Sequence, residues 1–374
     1  MPGRWPGRGA RCPFASHTMQ NTFTSCALRI LATFTLTLST LSVSQAQVGS
    51  ALVLYGAVDL SLTHVSNTNA AGQDTTSIAS GSFLPSVWGI RGQEDLGGGL
   101  QAFFKLENSF NVDTGAVTTN ASFFNRFALL GLRTPYGTVT AGRLGSMQFD
   151  FTAMGYDLTM LDTYGIVALG ALPPALFKIN NAIKYESPTW GGWRGSLMTS
   201  SGQELPEASG AGRYSGAAIE YAQGDFKARA THEVTRGNLT GTLDQSGLTD
   251  KRTSVAARWN IDALSLFADY VSVQGDLRIT PRGHVWQGGV GYRIAPRWQL
   301  IGEFGVYRYS DSNGRPALAH LIAQYDLSKR TLLYGFWTKV NNHGGSQVGA
   351  AFATSTSKPG QSQSALGLGV SHRF

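Results

Sequence analysis

The chain has 374 residues, and only 14% of them are charged, well below the roughly 25% of soluble globular chains. Glycine is abundant, at 46 residues, yet no apolar run after the first 46 residues is long enough to cross a bilayer as a helix. That pairing argues against both a soluble globular fold and a helical membrane protein, and suits strands that are apolar on one face and polar on the other.

The N-terminus reads as a secretory signal. Arg29 precedes the apolar stretch Ile30–Val43, and Ser44-Gln45-Ala46 places small residues at a cleavage position, so the cut is expected after Ala46. The sequence also admits a start at Met19, because residues 1–18 add nothing that a signal needs. A membrane anchor is disfavoured, since about 14 apolar residues fall short of the roughly 20 that a spanning helix needs. Both cysteines, Cys12 and Cys26, leave with this segment, so no disulfide or thiolate chemistry remains. Four arginines leave too. The basic residues fall from 30 to 26 against 23 acids, and the net charge from +7 to +3. The basic character is therefore mostly that of the precursor and is no argument for nucleic-acid binding.

From Gln47 onward short runs alternate with a period of two. In Leu52–Leu62 the apolar set is Leu52, Leu54, Val58, Leu60 and Leu62, with Tyr55, Ala57, Asp59 and Ser61 between. In Leu332–Val340 and Leu366–Phe374 the even positions are again apolar. Alternation gives each strand one apolar and one polar face, as a sandwich would also show. The connections decide more. Seven are tight and carry Gly, Pro, Asn or Asp: Glu94–Gly98, Thr134–Gly137, Pro188–Gly192, Ala222–Asp225, Asn260–Ala263, Ile294–Arg297 and Asp326–Arg330. Eight mostly longer ones alternate with them, near 66–82, 112–121, 145–180, 201–211, 235–250, 272–283, 311–315 and 341–361. Fifteen connections imply 16 strands with both termini on the short-turn side, the plan of an outer-membrane β-barrel. No linker divides residues 47–374, which read as one domain. Trp190, Trp193, Trp259, Trp298, Tyr136, Tyr221, Tyr325 and Phe374 sit near strand ends, where amphipathic rings suit the bilayer interfaces.

Several segments resemble the Gram-negative trimeric porins of the β-proteobacterial type. Leu54-Tyr55-Gly56-Ala57-Val58-Asp59 resembles their LYGxxD opening, and Trp88-Gly89-Ile90-Arg91-Gly92-Gln93-Glu94-Asp95-Leu96-Gly97-Gly98-Gly99-Leu100 their WGLRGxEDLGGGL hairpin. Phe124-Asn125-Arg126 through Gly131-Leu132, Tyr136-Gly137-Thr138-Val139-Thr140-Ala141-Gly142-Arg143, Asn180-Asn181-Ala182-Ile183-Lys184-Tyr185-Glu186-Ser187-Pro188 and Ser371-His372-Arg373-Phe374 are similar to further motifs of that family. The resemblance covers most of the mature chain. It implies an all-β, 16-stranded antiparallel transmembrane barrel in the outer membrane, a homotrimer, and a long third loop folded into the pore. It also implies a C-terminal assembly signal at Phe374, read by the outer-membrane assembly machinery.

That loop is expected at Gly145–Asn180, with Asp150, Asp157 and Asp162 as acids of a constriction and an apolar centre, Ile166–Phe177, broken by Pro173-Pro174. The alternation predicts what faces it. Trp88 and Ile90 on the lipid face send Val87, Gly89 and Arg91 inward. Phe104 and Leu106 outside leave Lys105 and Glu107 in water. Phe127 and Leu129 are expected on the lipid face with Arg126 inside, and Ile183 and Tyr185 outside with Lys178, Asn180, Lys184 and Glu186 inside. A misplaced Arg or Lys at mid-membrane would cost about 2–4 kcal/mol. The family's three basic wall residues are only partly kept. Arg126 matches one, Lys178 replaces an arginine and Val87 stands where arginine is common, so a weakly selective diffusion channel is expected.

No G-x-S-x-G, H-E-x-x-H, phosphate loop or G-x-G-x-x-G occurs, and His64, His232, His284, His320, His343 and His372 lack metal-ligand spacing. No catalytic, cofactor or metal site is expected, which leaves an outer-membrane enzyme and an adhesin as weaker alternatives. A substrate-specific channel would use aromatic residues such as Tyr156, Tyr164 and Phe177.

Overall fold

The computed structural model describes residues 51–374 except 120, 121, 152–154 and 161. The expected leader, with Met19, Cys12 and Cys26, lies outside the described residues.

Strand β1 (Ala51–Val65) opens the sheet and pairs along two halves of its length. Its first half meets β3 (Val87–Gly97) and its second half β2 (Thr75–Ser80), so these two short strands share one position. The gap between them, residues 81–86, contains Gly81 at φ +73° and Pro85, neither of which suits a regular ladder. β4 (Leu100–Ser109), β5 (Phe127–Thr134), β6 (Gly137–Gly145), β7 (Lys178–Glu186), β8 (Trp193–Ser200), β9 (Tyr214–Gln223) and β10 (Phe226–Arg236) follow, each antiparallel to the last. A separate hairpin, β11 (Leu239–Thr240) and β12 (Leu243–Asp244), decorates the next loop. β13 (Thr249–Ile261), β14 (Leu264–Gly275), β15 (Gly283–Ala295), β16 (Trp298–Tyr309), β17 (Ala317–Asp326), β18 (Thr331–Asn341) and β19 (Gln363–Arg373) complete the sheet. β19 pairs with β1, which closes a barrel of 16 strand positions and leaves no free edge.

The alternation holds in β1 and β19, but in β18 the even apolar set Tyr334, Phe336 and Val340 is buried inside the barrel and Leu333 and Trp337 are exposed outside. Leu52, Leu54, Leu62, Leu130, Ile183, Leu197, Phe304, Leu321 and Leu368 are exposed on the outer face, while Asp59, Ser61, Glu303, His320 and Ser371 are buried inside. All seven tight connections occur at one end and the long ones at the other. The aromatic residues near strand ends lie at the short-turn end, where Trp193 packs on Tyr221 at 4.9 Å and Trp298 on Tyr325 at 4.8 Å. Gly56 and Phe374 exchange both backbone hydrogen bonds, and the phenylalanine ring lies over Gly56, where a Cβ would collide with it.

Two further expectations fail on strand phase. Phe127 and Leu129 face inward: in register Leu129 opposes Lys105 and Phe127 opposes Glu107. Apolar residues occupy both faces of this strand, so alternation alone left its phase open. Arg126 reaches the lumen from just before β5 begins. Asn180 does not join Lys184 and Glu186. The ladder shifts between Gly142 and Leu144, and Asn181 sits at φ +53°, a bulge that re-aims the chain. Asn180 is exposed and accepts a hydrogen bond from Arg143.

Candidate functional site: the barrel lumen

The connection between β6 and β7, residues 146–177, is the longest in the barrel and holds a short helix, α1 (Met147–Phe151), and 3-10 turns at Ile166–Leu169 and Pro174–Leu176. Its described residues bond to inward-facing groups on many strands. The Met147 N–H donates to the Tyr214 hydroxyl at 2.8 Å and the Gln148 N–H to Glu233 Oε2 at 2.9 Å, which satisfies amides at the start of α1. Tyr156 donates to Glu220 at 3.1 Å, and burial together with the Glu220 charge holds its hydroxyl pKa well above the usual value. Thr159 donates to Glu303 at 3.3 Å, and Thr338 to the Tyr164 carbonyl at 2.9 Å. Thr163 bonds backbone oxygens of both Gly81 and Ser82 at the gap in the second strand position. Arg252, fully buried, pairs with Asp250 at 2.7 Å and donates to the Ala171 carbonyl.

The three loop acids are therefore held, not free. Asp157 and Asp162 are fully buried. Asp157 accepts from the Thr159 amide at 2.8 Å, and Asp162 lies 3.5 Å from His320, itself bonded to Thr338 at 2.8 Å. Asp150 pairs with Lys184 at 2.9 Å. Facing them from the wall are two further buried acids, Asp269 on β14 and Glu303 on β16. Sequence reading passed over Glu303 and His320, although alternation in β16 and β17 puts both inside.

The expected basic side lies on β3 to β5. Glu107 is buried and accepts from Arg126 at 2.7 Å, Lys105 at 3.0 Å and Tyr55 at 2.8 Å. Arg91 is exposed beside them, 5.3 Å from the Tyr55 ring centre. Lys178 is different. Its Nζ is buried without a hydrogen-bond partner and lies between the rings of Phe127 and Phe149, at 3.6 and 3.5 Å from their centres. Ring faces carry partial negative charge and attract an ammonium in this geometry. Val87, half-buried opposite Ser109, brings no charge. Other inward cations escaped notice: Arg133 on β5, Arg194 on β8, Lys227 and Arg229 on β10, and Arg258 on β13. The period-two pair in Phe226-Lys227-Ala228-Arg229-Ala230 was the available signal.

The aromatic residues of the loop do not form an open file. Tyr156 and Tyr164 are buried, and Phe177 stacks on Phe352 at 5.0 Å.

Residues 32–345 match the family model described as Gram-negative porin. The chain is 26% identical over 351 residues to outer membrane porin protein 32 of Delftia acidovorans, covering 87% of this chain and 94% of that one. It is 24% identical over 320 residues to the major outer membrane protein P.IB of Neisseria lactamica, covering 80% and 91%. The fold is similar to that of the anion-selective porin from Comamonas acidovorans, with a TM-score of 0.74 at 24% identity over 87% of this chain and 100% of that one. It is also similar to the trimer form of OmpT of Vibrio cholerae, with a TM-score of 0.66 at 15% identity over 87% of this chain and 100% of that one. The closed 16-stranded barrel and a family match that spans most of the sequence lead to one conclusion: this chain belongs to the Gram-negative porins, integral outer-membrane proteins that form channels for passive diffusion rather than enzymes.

Proposed function

We propose that residues 146–177 narrow the lumen and that the resulting channel is weakly selective, with a preference for small anions. The supporting observation is how charge divides between wet and dry positions. Among the described inward-facing residues, leaving aside Lys178 with its buried Nζ, the bases left at least partly exposed are Arg91, Lys105, Arg126, Arg133, Lys184, Arg194, Lys227, Arg229, Arg258, Arg293 and Arg373, against the acids Asp95, Asp150, Glu186, Glu220 and Asp326. The other inward acids, Asp59, Glu107, Asp157, Asp162, Glu233, Asp250, Asp269 and Glu303, are buried. A dry, hydrogen-bonded carboxylate acts on its neighbours, whereas a wet cation acts on passing ions, so the water in the channel meets an excess of positive charge. Arg91, Lys105 and Arg126 make the positive side of the narrowing. Lys178 anchors the loop, and the uncharged Val87 keeps the preference modest. Asp150, Asp157 and Asp162 belong to the constriction as the residues that fasten it.

In this reading the leader through Ala46 is removed, residues 47–374 form one barrel domain, and three barrels associate. Phe374 is the signal read by the assembly machinery. The likeness to a trimer-form protein supports the association. Single-channel recording of detergent-purified protein in a planar bilayer tests the whole. Long-lived steps in groups of three are expected. Insertion without conduction would overturn the open channel, and single steps alone would overturn the trimer.

A further inference from the structure

The inward faces of β10 and β13 carry a concentration of charge apart from the β3–β5 wall. Lys227 stands directly opposite Arg258 in register, and Arg229 follows two residues along the same face. Like charges opposed on neighbouring strands work against pairing, so this arrangement calls for a reason beyond the fold. The partners nearby do not neutralise it. Glu220, opposite Arg229, is taken up by Arg194 and the Tyr156 hydroxyl. Asp157 lies close enough to act on Arg258 but is buried and bonded to Thr159. Lys227 Nζ has the Tyr156 ring at 5.0 Å. Arg258 reaches only the Gly155 carbonyl at 3.5 Å and the Asn260 side chain at 3.3 Å. Arg229 has its Nε buried without a hydrogen-bond partner, and its Nη2 meets only the Met147 sulfur at 4.0 Å. Two guanidinium forks and an ammonium thus share one inward face, and most of their donors have no protein partner among the described residues.

We propose that Lys227, Arg229 and Arg258 form an oxyanion-binding site on the channel wall, selective for a doubly charged tetrahedral group such as phosphate, free or carried on a small organic solute. Guanidinium forks match the paired oxygens of such a group, which chloride lacks, and the ammonium adds a point charge. Lys227 is one residue beyond the start of β10, so the site lies near the short-turn mouth. There it would hold solutes leaving the narrowing. The inference rests on the channel reading above.

The test uses the full-length protein in planar bilayers with potassium chloride on both sides. Inorganic phosphate added at the short-turn side is expected to reduce chloride current saturably, and a small organic monophosphate to do the same. Acetate is expected to have at least tenfold less effect. In the double variant Lys227→Gln/Arg258→Gln the half-effect concentration of phosphate should rise at least tenfold while conductance in chloride alone persists. Calorimetric titration of the detergent-solubilised protein with phosphate gives a readout that needs no conduction and should show heat that the double variant loses. Phosphate acting no more strongly than acetate, or equally on both proteins, would overturn the site and leave the channel standing. Activity of inorganic phosphate alone would overturn its extension to organic phosphates.

Discussion

The two sides of the barrel use charge differently. On β14 to β18 the inward groups Asp269, Glu303, His320 and Thr338 are buried: Glu303 and Thr338 bond to the long loop, His320 bonds Thr338, and Asp269 accepts from Gln287. From β3 to β13, around the other side, most inward cations keep some exposure, and several lie against rings: Arg91 on Tyr55, Arg133 on Phe103 and Lys227 on Tyr156, while Lys105 has both the Phe127 ring and Glu107 beside it. A ring holds a cation in place without cancelling its charge. Dry inward groups on both sides, Glu303 and Thr338 on one and Tyr214, Glu233 and Arg252 on the other, therefore secure the loop, and the wet cations are the groups proposed to set the field in the water. The net charge of a porin chain says little about its lumen until the dry residues are separated from the wet ones.

Substitutions can break this division, and the largest effect is expected on the anchoring groups. Arg252→Ala leaves Asp250 buried without its partner and frees the Ala171 carbonyl. It should cost about 3–5 kcal/mol, read as a lower temperature for loss of the folded band in heated gel electrophoresis. Arg126→Ala leaves Glu107 with Lys105 and Tyr55 only. It should cost about 1–3 kcal/mol and move the reversal potential in a salt gradient toward cations. Phe127→Leu removes the ring shared by Lys105 and Lys178. A loss of about 0.5–2 kcal/mol is expected, with noisier open-channel current as the loop loosens. Arg91→Ala touches an exposed residue and should change stability by no more than about 0.5 kcal/mol, yet still lower anion preference. An unchanged reversal potential there would place Arg91 outside the ion path.

Much of the fold was legible because a barrel repeats one simple rule. Alternation and turn chemistry located all seven tight connections, and the chain ends at the phenylalanine whose ring covers Gly56. The misreadings have local causes. Phe127-Ala128-Leu129-Leu130 is apolar on both faces, so only pairing with Lys105 and Glu107 could set its phase. The bulge opposite Gly142 and Leu144 turns Asn180 away from the face that alternation gave it. The gap at 81–86 is bound by Thr163, about eighty residues downstream, a contact no local pattern encodes. The lumen was less legible for a related reason. Asp150, Asp157 and Asp162 look alike in sequence, but whether an acid is wet or dry depends on where the loop docks.

The most direct test of the division compares two substitutions that each replace one titratable side chain by glutamine: Glu303→Gln on the loop-anchoring side and Arg91→Gln on the exposed side. Reversal potentials for each would be measured against the parent protein in a tenfold potassium chloride gradient. Arg91→Gln should shift the potential toward cations, while Glu303→Gln should leave it unchanged. Equal and opposite shifts from the two would contradict the division, because they would place Glu303 in the water of the channel.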